Sequence, residues 1–192
     1  MSEIDTQHTA AVSGGAAEPD RPQQAEPWLR FALVFGTLAV TSEVLYYAVT
    51  LDSVVFQAYL GVLADVSGTI LAWFSSDIVV RSARITGPAF VVEIAQGCDA
   101  VQVCSLLAAA VIAFPMSLMG KLRGLVFGIV FLQLLNIVRI ITLYWIGAHF
   151  SSIFKTAHEV IWPGFLIFAT IATWIVWVRL ETRLPQSKNH AA

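Results

Sequence analysis

Apolar residues gather in four long runs, at about Leu29 to Val49, Val101 to Met119, Gly124 to Ala148 and Val160 to Val178. Each is close to the roughly 20 residues an α-helix needs to cross a hydrocarbon core. A further run, Val54 to Phe74, is interrupted by Gln57, Asp65, Ser67, Gly68 and Thr69, and an unpaired aspartate at mid-bilayer is expensive. Between Asp77 and Ile94 the pattern changes: residues 77–81 and 89–94 are rich in β-branched side chains and flank Thr86-Gly87-Pro88. That arrangement predicts a small β-hairpin. Residues 1–27 carry Ser, Gly, Ala, Pro, Gln and acids with no apolar period, the pattern of a disordered tail. The expected fold class is an all-α polytopic membrane protein with about four transmembrane helices, five being the rival count, plus an outer-face amphipathic helix at Val54–Phe74 and the hairpin. The expected organisation is a tail at 1–27, one membrane domain at 28–180 and a second tail at 181–192.

Composition agrees with the pattern. The chain is 57% apolar and 12% charged, with a mean hydropathy of +0.75, whereas soluble domains carry about 25% charged residues. A net charge of −2 gives no basic surface for nucleic acid. The first run is too long for a signal-peptide core and is expected to stay as an anchor. Orientation comes from the basic residues: Lys121 and Arg123 between two runs, and Arg179, Arg183 and Lys188 after the last, are expected inside. With Arg21 and Arg30 also inside, residues 51–97 lie outside. A fifth span at Val54–Phe74 would instead put the N-terminus outside.

This topology brings chemistry to one depth. Cys98 stands at the outer start of one run, His158 at the outer start of the last, and Arg139 within the run between them, about 22 Å along a helix beginning at Gly124. An arginine inside an apolar run is costly to bury and marks a functional-site candidate. A thiolate attacks carbonyls, an imidazole moves the protons, and a guanidinium stabilises a developing oxyanion. The three side chains therefore form a candidate acyl-transfer constellation. Asn136, one turn before Arg139, is expected to orient the guanidinium or a substrate backbone, as part of a polar series Gln133, Asn136, Arg139 and Thr142.

The ordered segments Gly97-Cys98-Asp99-Ala100, Ala113-Phe114-Pro115 with its Lys/Arg loop, Leu134-Leu135-Asn136-Ile137-Val138-Arg139 and His158-Glu159-Val160-Ile161-Trp162 resemble the exosortase/archaeosortase family, nearest to the short exosortase H type, over about Val54 to Val178. The resemblance implies a cysteine transpeptidase or peptidase of the bacterial cytoplasmic (inner) membrane, with its active site facing outward. Its partners would be exported proteins ending in a C-terminal sorting signal (short motif, apolar helix, basic end), the lipid bilayer and an unidentified acceptor. It also implies Cys98 as nucleophile, Arg139 as the second invariant member and His158 as acid/base; Asp99 and Glu159, their neighbours in the sequence, are expected as orienting or substrate-binding residues. The family commonly has Asn or Ser and then Gly after the cysteine. Here Asp99 and Ala100 follow it, so Asp99 either points away from the thiol or is neutralised by Arg139, Arg81 or Arg84.

Plainer readings stand beside these. Cys104 is expected to pack as a small apolar residue, His149 to sit at the interface, and Gly120, Gly124 and Gly128 to permit close helix packing. Trp28, Trp73, Trp145, Trp162, Trp174 and Trp177 are expected as interfacial anchors. Arg139 as a purely structural partner of Glu93, Asp99 or Glu159 is one alternative. A Cys98–Cys104 redox pair is a second, although residues six apart on a helix are separated by about 9 Å. A non-catalytic assembly or transport subunit is a third. Neither metal nor organic cofactor is implied.

Overall fold

The computed structural model describes residues 27–50 and 53–183. Of the tails expected at 1–27 and 181–192, residues 1–26 and 184–192, with Arg21 and Lys188, lie outside the described residues, whereas Pro27 opens the first helix and residues 181–183 end the last one. Helices α1 (Pro27–Thr50) and α2 (Val54–Ala72) lead into strands β1 (Val79–Arg81), β2 (Arg84–Thr86) and β3 (Val91–Glu93). Helices α3 (Val101–Ala113), α4 (Leu118–His149) and α5 (Ser151–Thr156) follow, and a π-helical turn, Ala157–Ile161, joins α5 to α6 (Trp162–Arg183).

Among the described residues, four helices are long and apolar enough to cross a membrane: α1, α2, α4 and the continuous stretch Ser151–Arg183. The number agrees with the sequence, but the membership differs. The run expected to span from Val101 to Met119 makes only a thirteen-residue helix, about 20 Å long. Its end is set by Pro115, which has no N–H to continue a helix, and by Ser117, whose hydroxyl accepts from Gly120 N at 3.3 Å to cap α4. The Lys121/Arg123 stretch expected as a loop is therefore the first turns of α4. In α2, Ser53 caps in the same way, accepting from Phe56 N at 3.2 Å, and Asp65 is exposed.

The expected hairpin is a three-stranded antiparallel sheet in the order β1-β2-β3. The two predicted strands form its edges, and Arg84–Thr86 runs between them, paired Val80↔Ile85 on one side and Ile85↔Val92 on the other. Ser82, in the turn before β2, has φ +53°. Ile85 and Ile94 pack with Leu60, Leu63, Ala64 and Leu71 of α2 and Ile140 and Tyr144 of α4 in an outer core. A second core lies among α3, α4 and α6, with Leu107, Val111, Leu132, Ala169 and Trp177.

The glycine series does permit close packing: a Cβ on Gly124 would lie 2.6 Å from the Trp177 indole, and one on Gly128 would overlap Leu107. Trp177 is correspondingly buried, and its Nε1 donates to Gly120 O at 3.0 Å. It is a core residue rather than the anchor expected.

Candidate active site

The reactive residues meet on a short loop, 97–100, between the sheet and α3. Gly97 (φ +88°) and Ala100 (φ +61°) both adopt left-handed backbone, which for a residue with a Cβ costs about 1–2 kcal/mol. The loop is held from outside. Arg139 Nη1 donates to Gly97 O at 3.3 Å, Asn136 Nδ2 to Cys98 O at 3.0 Å, and Gln133 Nε2 to Asp99 O at 3.4 Å. Side chains three residues apart on α4 thus grip three consecutive carbonyls, in reverse order. The polar series read from the sequence is a clamp. It ends at Arg139, because the Thr142 hydroxyl donates back to Val138 O and Arg139 O at 2.9 Å.

Tyr59 adds a second grip, donating to Asp99 O at 2.6 Å while its hydroxyl accepts from Gln133 Nε2 at 2.6 Å. Asp99 is fully buried. Its carboxylate accepts from Tyr46 OH at 2.5 Å, Gly97 N at 3.0 Å and Val101 N at 2.7 Å. No ion pair to Asp99 exists among the described residues; Arg84 pairs with Glu93 instead, at 2.6 Å. The Asp99 carboxylate is therefore met by a phenol, by Gly97 N within the loop and by Val101 N at the start of α3.

With the backbone held, the Cys98 thiol projects to His158. Sγ and Nε2 lie 3.0 Å apart, and Arg139 Nη2 is 3.7 Å from the same sulfur. His158 occupies the π-helical turn ahead of α6, a local distortion frequent at functional sites, and stacks on Phe154 at 5.8 Å between centroids. A cavity of about 270 Å³ opens onto Cys98, Arg139 and His158, walled by Phe90–Ile94, Ile140, Leu143 and Phe154. A larger hollow of about 800 Å³ between α4 and α6 contains no cysteine or histidine.

Arg139 is only 4% exposed, yet it has no carboxylate partner among the described residues, and its Nε is also unpartnered. The purely structural reading is thereby left without the anion it requires. Glu93 is committed to Arg84 and Asp99 to Tyr46, while Glu159 is exposed and does not line the cavity. Burial pushes the Cys98 thiol above its usual range; Arg139 works against that rise and Asp99 adds to it. The Cys98 sulfur thus lies against an imidazole and a buried guanidinium.

The other residues fall where packing explains them. Cys104 is buried in the inner core, and Cys98 and Cys104 are both free thiols facing different cavities. His149 is exposed, stacked on Trp145 with Nδ1 3.1 Å from Trp145 O. Sequence reasoning passed over Tyr46, Tyr59 and Phe154. For the two tyrosines the available signal was a phenol inside an apolar run, whose hydroxyl must find a partner once buried; Phe154 gave none.

No curated protein and no solved structure matches the chain. A family model described as Transmembrane exosortase, of the EpsH type, matches residues 21–177, so the match takes in α1 as well as the segments that carried the resemblance. The chain belongs to the transmembrane exosortase family.

Proposed function

We propose that this protein is a cysteine transpeptidase or peptidase that cleaves the C-terminal sorting signal of exported proteins at the outer face of a bacterial cytoplasmic membrane. The observation that carries the reading is the 3.0 Å approach of Cys98 Sγ to His158 Nε2, beside a buried guanidinium with no carboxylate partner. His158 Nε2 takes the thiol proton as Sγ bonds to the scissile carbonyl carbon. Arg139 stabilises the oxyanion that forms, an interaction worth most in a dry, preorganised site. Collapse breaks the C–N bond, His158 returns its proton to the departing amine, and the signal leaves as a free N-terminus. The thioester on Cys98 then passes its acyl group to an acceptor nucleophile, whose proton His158 removes, and the thiol is regenerated. An amine or hydroxyl acceptor gives transpeptidation, and water gives hydrolysis. The loop clamp supports this use, since a nucleophile must be held to within about half an ångström of its productive geometry.

The test is a secreted reporter carrying C-terminal tails from the same genome that share a short motif, an apolar helix and a basic end. Cys98→Ala should leave the reporter full length and Cys104→Ala should process it, with both variants at normal membrane level. Processing by Cys98→Ala would overturn the reading.

A further inference from the structure

Among the described residues, the edge of the small sheet that lines the cavity with Cys98 has no strand paired to it. The order β1-β2-β3 makes β3 an edge strand, with β2 as its sole strand neighbour. Its bonds to β2 include Gly87 N to Phe90 O at 3.0 Å and Ile94 N to Ala83 O at 2.8 Å, with Val92 opposite Ile85 between them. Because hydrogen-bonded pairs alternate in an antiparallel ladder, Phe90, Val92 and Ile94 turn their polar backbone toward β2. Val91 and Glu93 turn theirs the other way. All five residues line the cavity that holds Cys98 and His158.

We propose that β3 is a strand-addition site. The stretch of substrate around the scissile bond lies extended along the free edge, exchanges backbone hydrogen bonds with Val91 and Glu93, and is thereby presented to Cys98. This rests on the acyl-transfer reading above and specifies how that site holds its peptide. An open edge offers donors and acceptors repeating about every 6.7 Å, two residues of strand, and an extended peptide backbone complements that spacing without regard to side chains. Free edges are blunted by very short strands, by charged side chains (Lys above all), by Pro or by a bulge, and β3, three residues long, uses the first of these. Here Val91, Val92 and Glu93 include neither Lys nor Pro, and the one charged side chain is turned to Arg84. Specificity for particular residues then falls to the alternating side chains of the bound strand and to Phe90, Leu143 and Phe154 around it.

The test uses the full chain in membranes, in a Cys104→Ala background so that Cys98 is its one thiol. Two reagents alkylate that thiol. Acetyl-Ala-Ala-Ala chloromethyl ketone, whose chloride the sulfur displaces, has a peptide backbone to pair with β3; iodoacetamide has none. Val91→Pro removes the outward N–H while leaving the Phe90, Val92 and Ile94 bonds to β2 in place, and Val91→Thr keeps that N–H. The expected result is a fall of about tenfold in the peptidyl rate for Val91→Pro, the effect of losing one or two backbone hydrogen bonds. Divided by the iodoacetamide rate, which reads the thiol alone, the peptidyl rate should fall with Val91→Pro and hold its parent ratio with Val91→Thr.

A second arm leaves the protein untouched: N-methylation of individual amides of the peptidyl reagent should slow alkylation at one position and spare the next. If Val91→Pro changes both reagents by the same factor and no N-methyl position matters, strand addition is overturned. Neither arm needs a sorting signal. A failure of the acyl-transfer reading would appear instead in the reporter assay with Cys98→Ala, whatever the alkylation ratios.

Discussion

Helix α4 carries two arginines about 24 Å apart along its axis, and they differ in partner and in depth. Arg123 meets a carboxylate with both arms of its fork, Nε to Glu181 Oε1 at 2.8 Å and Nη2 to Oε2 at 2.7 Å. Arg139, more deeply buried, meets two groups of the 97–100 loop and, among the described residues, no carboxylate. The first is a complete ion pair tying α4 to α6, and its chemistry is exhausted. The second is a buried cation, and on the mechanism proposed above its counter-ion, a Cys98 thiolate or the oxyanion of a tetrahedral intermediate, would exist only during reaction. A buried charge without its partner is a cost to the fold, and such costs concentrate where function requires them.

The largest expected effect separates the two sites. Arg139→Lys keeps a charge but loses the planar fork that reaches both Gly97 O and the sulfur, so reporter processing should fall by about a hundredfold or more at normal membrane level. Arg123→Lys should process nearly as the parent does. Near-normal processing by Arg139→Lys would reduce Arg139 to a point charge like any other. The next effect concerns the clamp: Asn136→Ala leaves Cys98 O without its donor, a loss of about 1–3 kcal/mol for a buried acceptor. It should lower kcat about tenfold or more with a smaller change in KM, measured on the same reporter. The smallest effect belongs to the structural end, where Trp177→Phe removes the bond to Gly120 O and should cost about 1 kcal/mol of stability, read as a lower melting temperature in detergent with processing unchanged.

The same contrast explains what could be read in the sequence. Arg139 stood out because a guanidinium in an apolar run has no cheap explanation, and Asn136 followed from its spacing on the same helix. Cys98 and His158 were legible from their order along the chain and their common depth. Partners that a periodicity cannot specify were not legible. Asp99 was expected to point away or to find an arginine, and it found Tyr46 from α1 and two backbone N–H groups. Glu159 was placed beside His158 by adjacency alone, and the helix turns it outward. The sheet was read one strand short because Gly87-Pro88 signals a turn strongly, whereas the turn at Ser82-Ala83 contains no glycine or proline. Helix α3 was read too long because apolar residues continue on both sides of Pro115, so hydropathy does not register the break that the proline imposes.

The central claim is that the Cys98 thiolate is the counter-ion Arg139 lacks, and it can be measured without any substrate. In Cys104→Ala membranes, the rate of iodoacetamide alkylation of Cys98 as a function of pH reports thiolate formation. Burial sets the parent midpoint above that of an ordinary thiol, while the guanidinium, 3.7 Å from the sulfur, holds it lower than burial alone would. Replacing the charge with an uncharged amide, Arg139→Gln, should move the midpoint to higher pH by about one unit or more, as expected for loss of an opposite charge within about 4–6 Å. Arg139→Lys should fall between the two. A midpoint that stays where it is in Arg139→Gln, with Cys98 still reactive, would contradict the account.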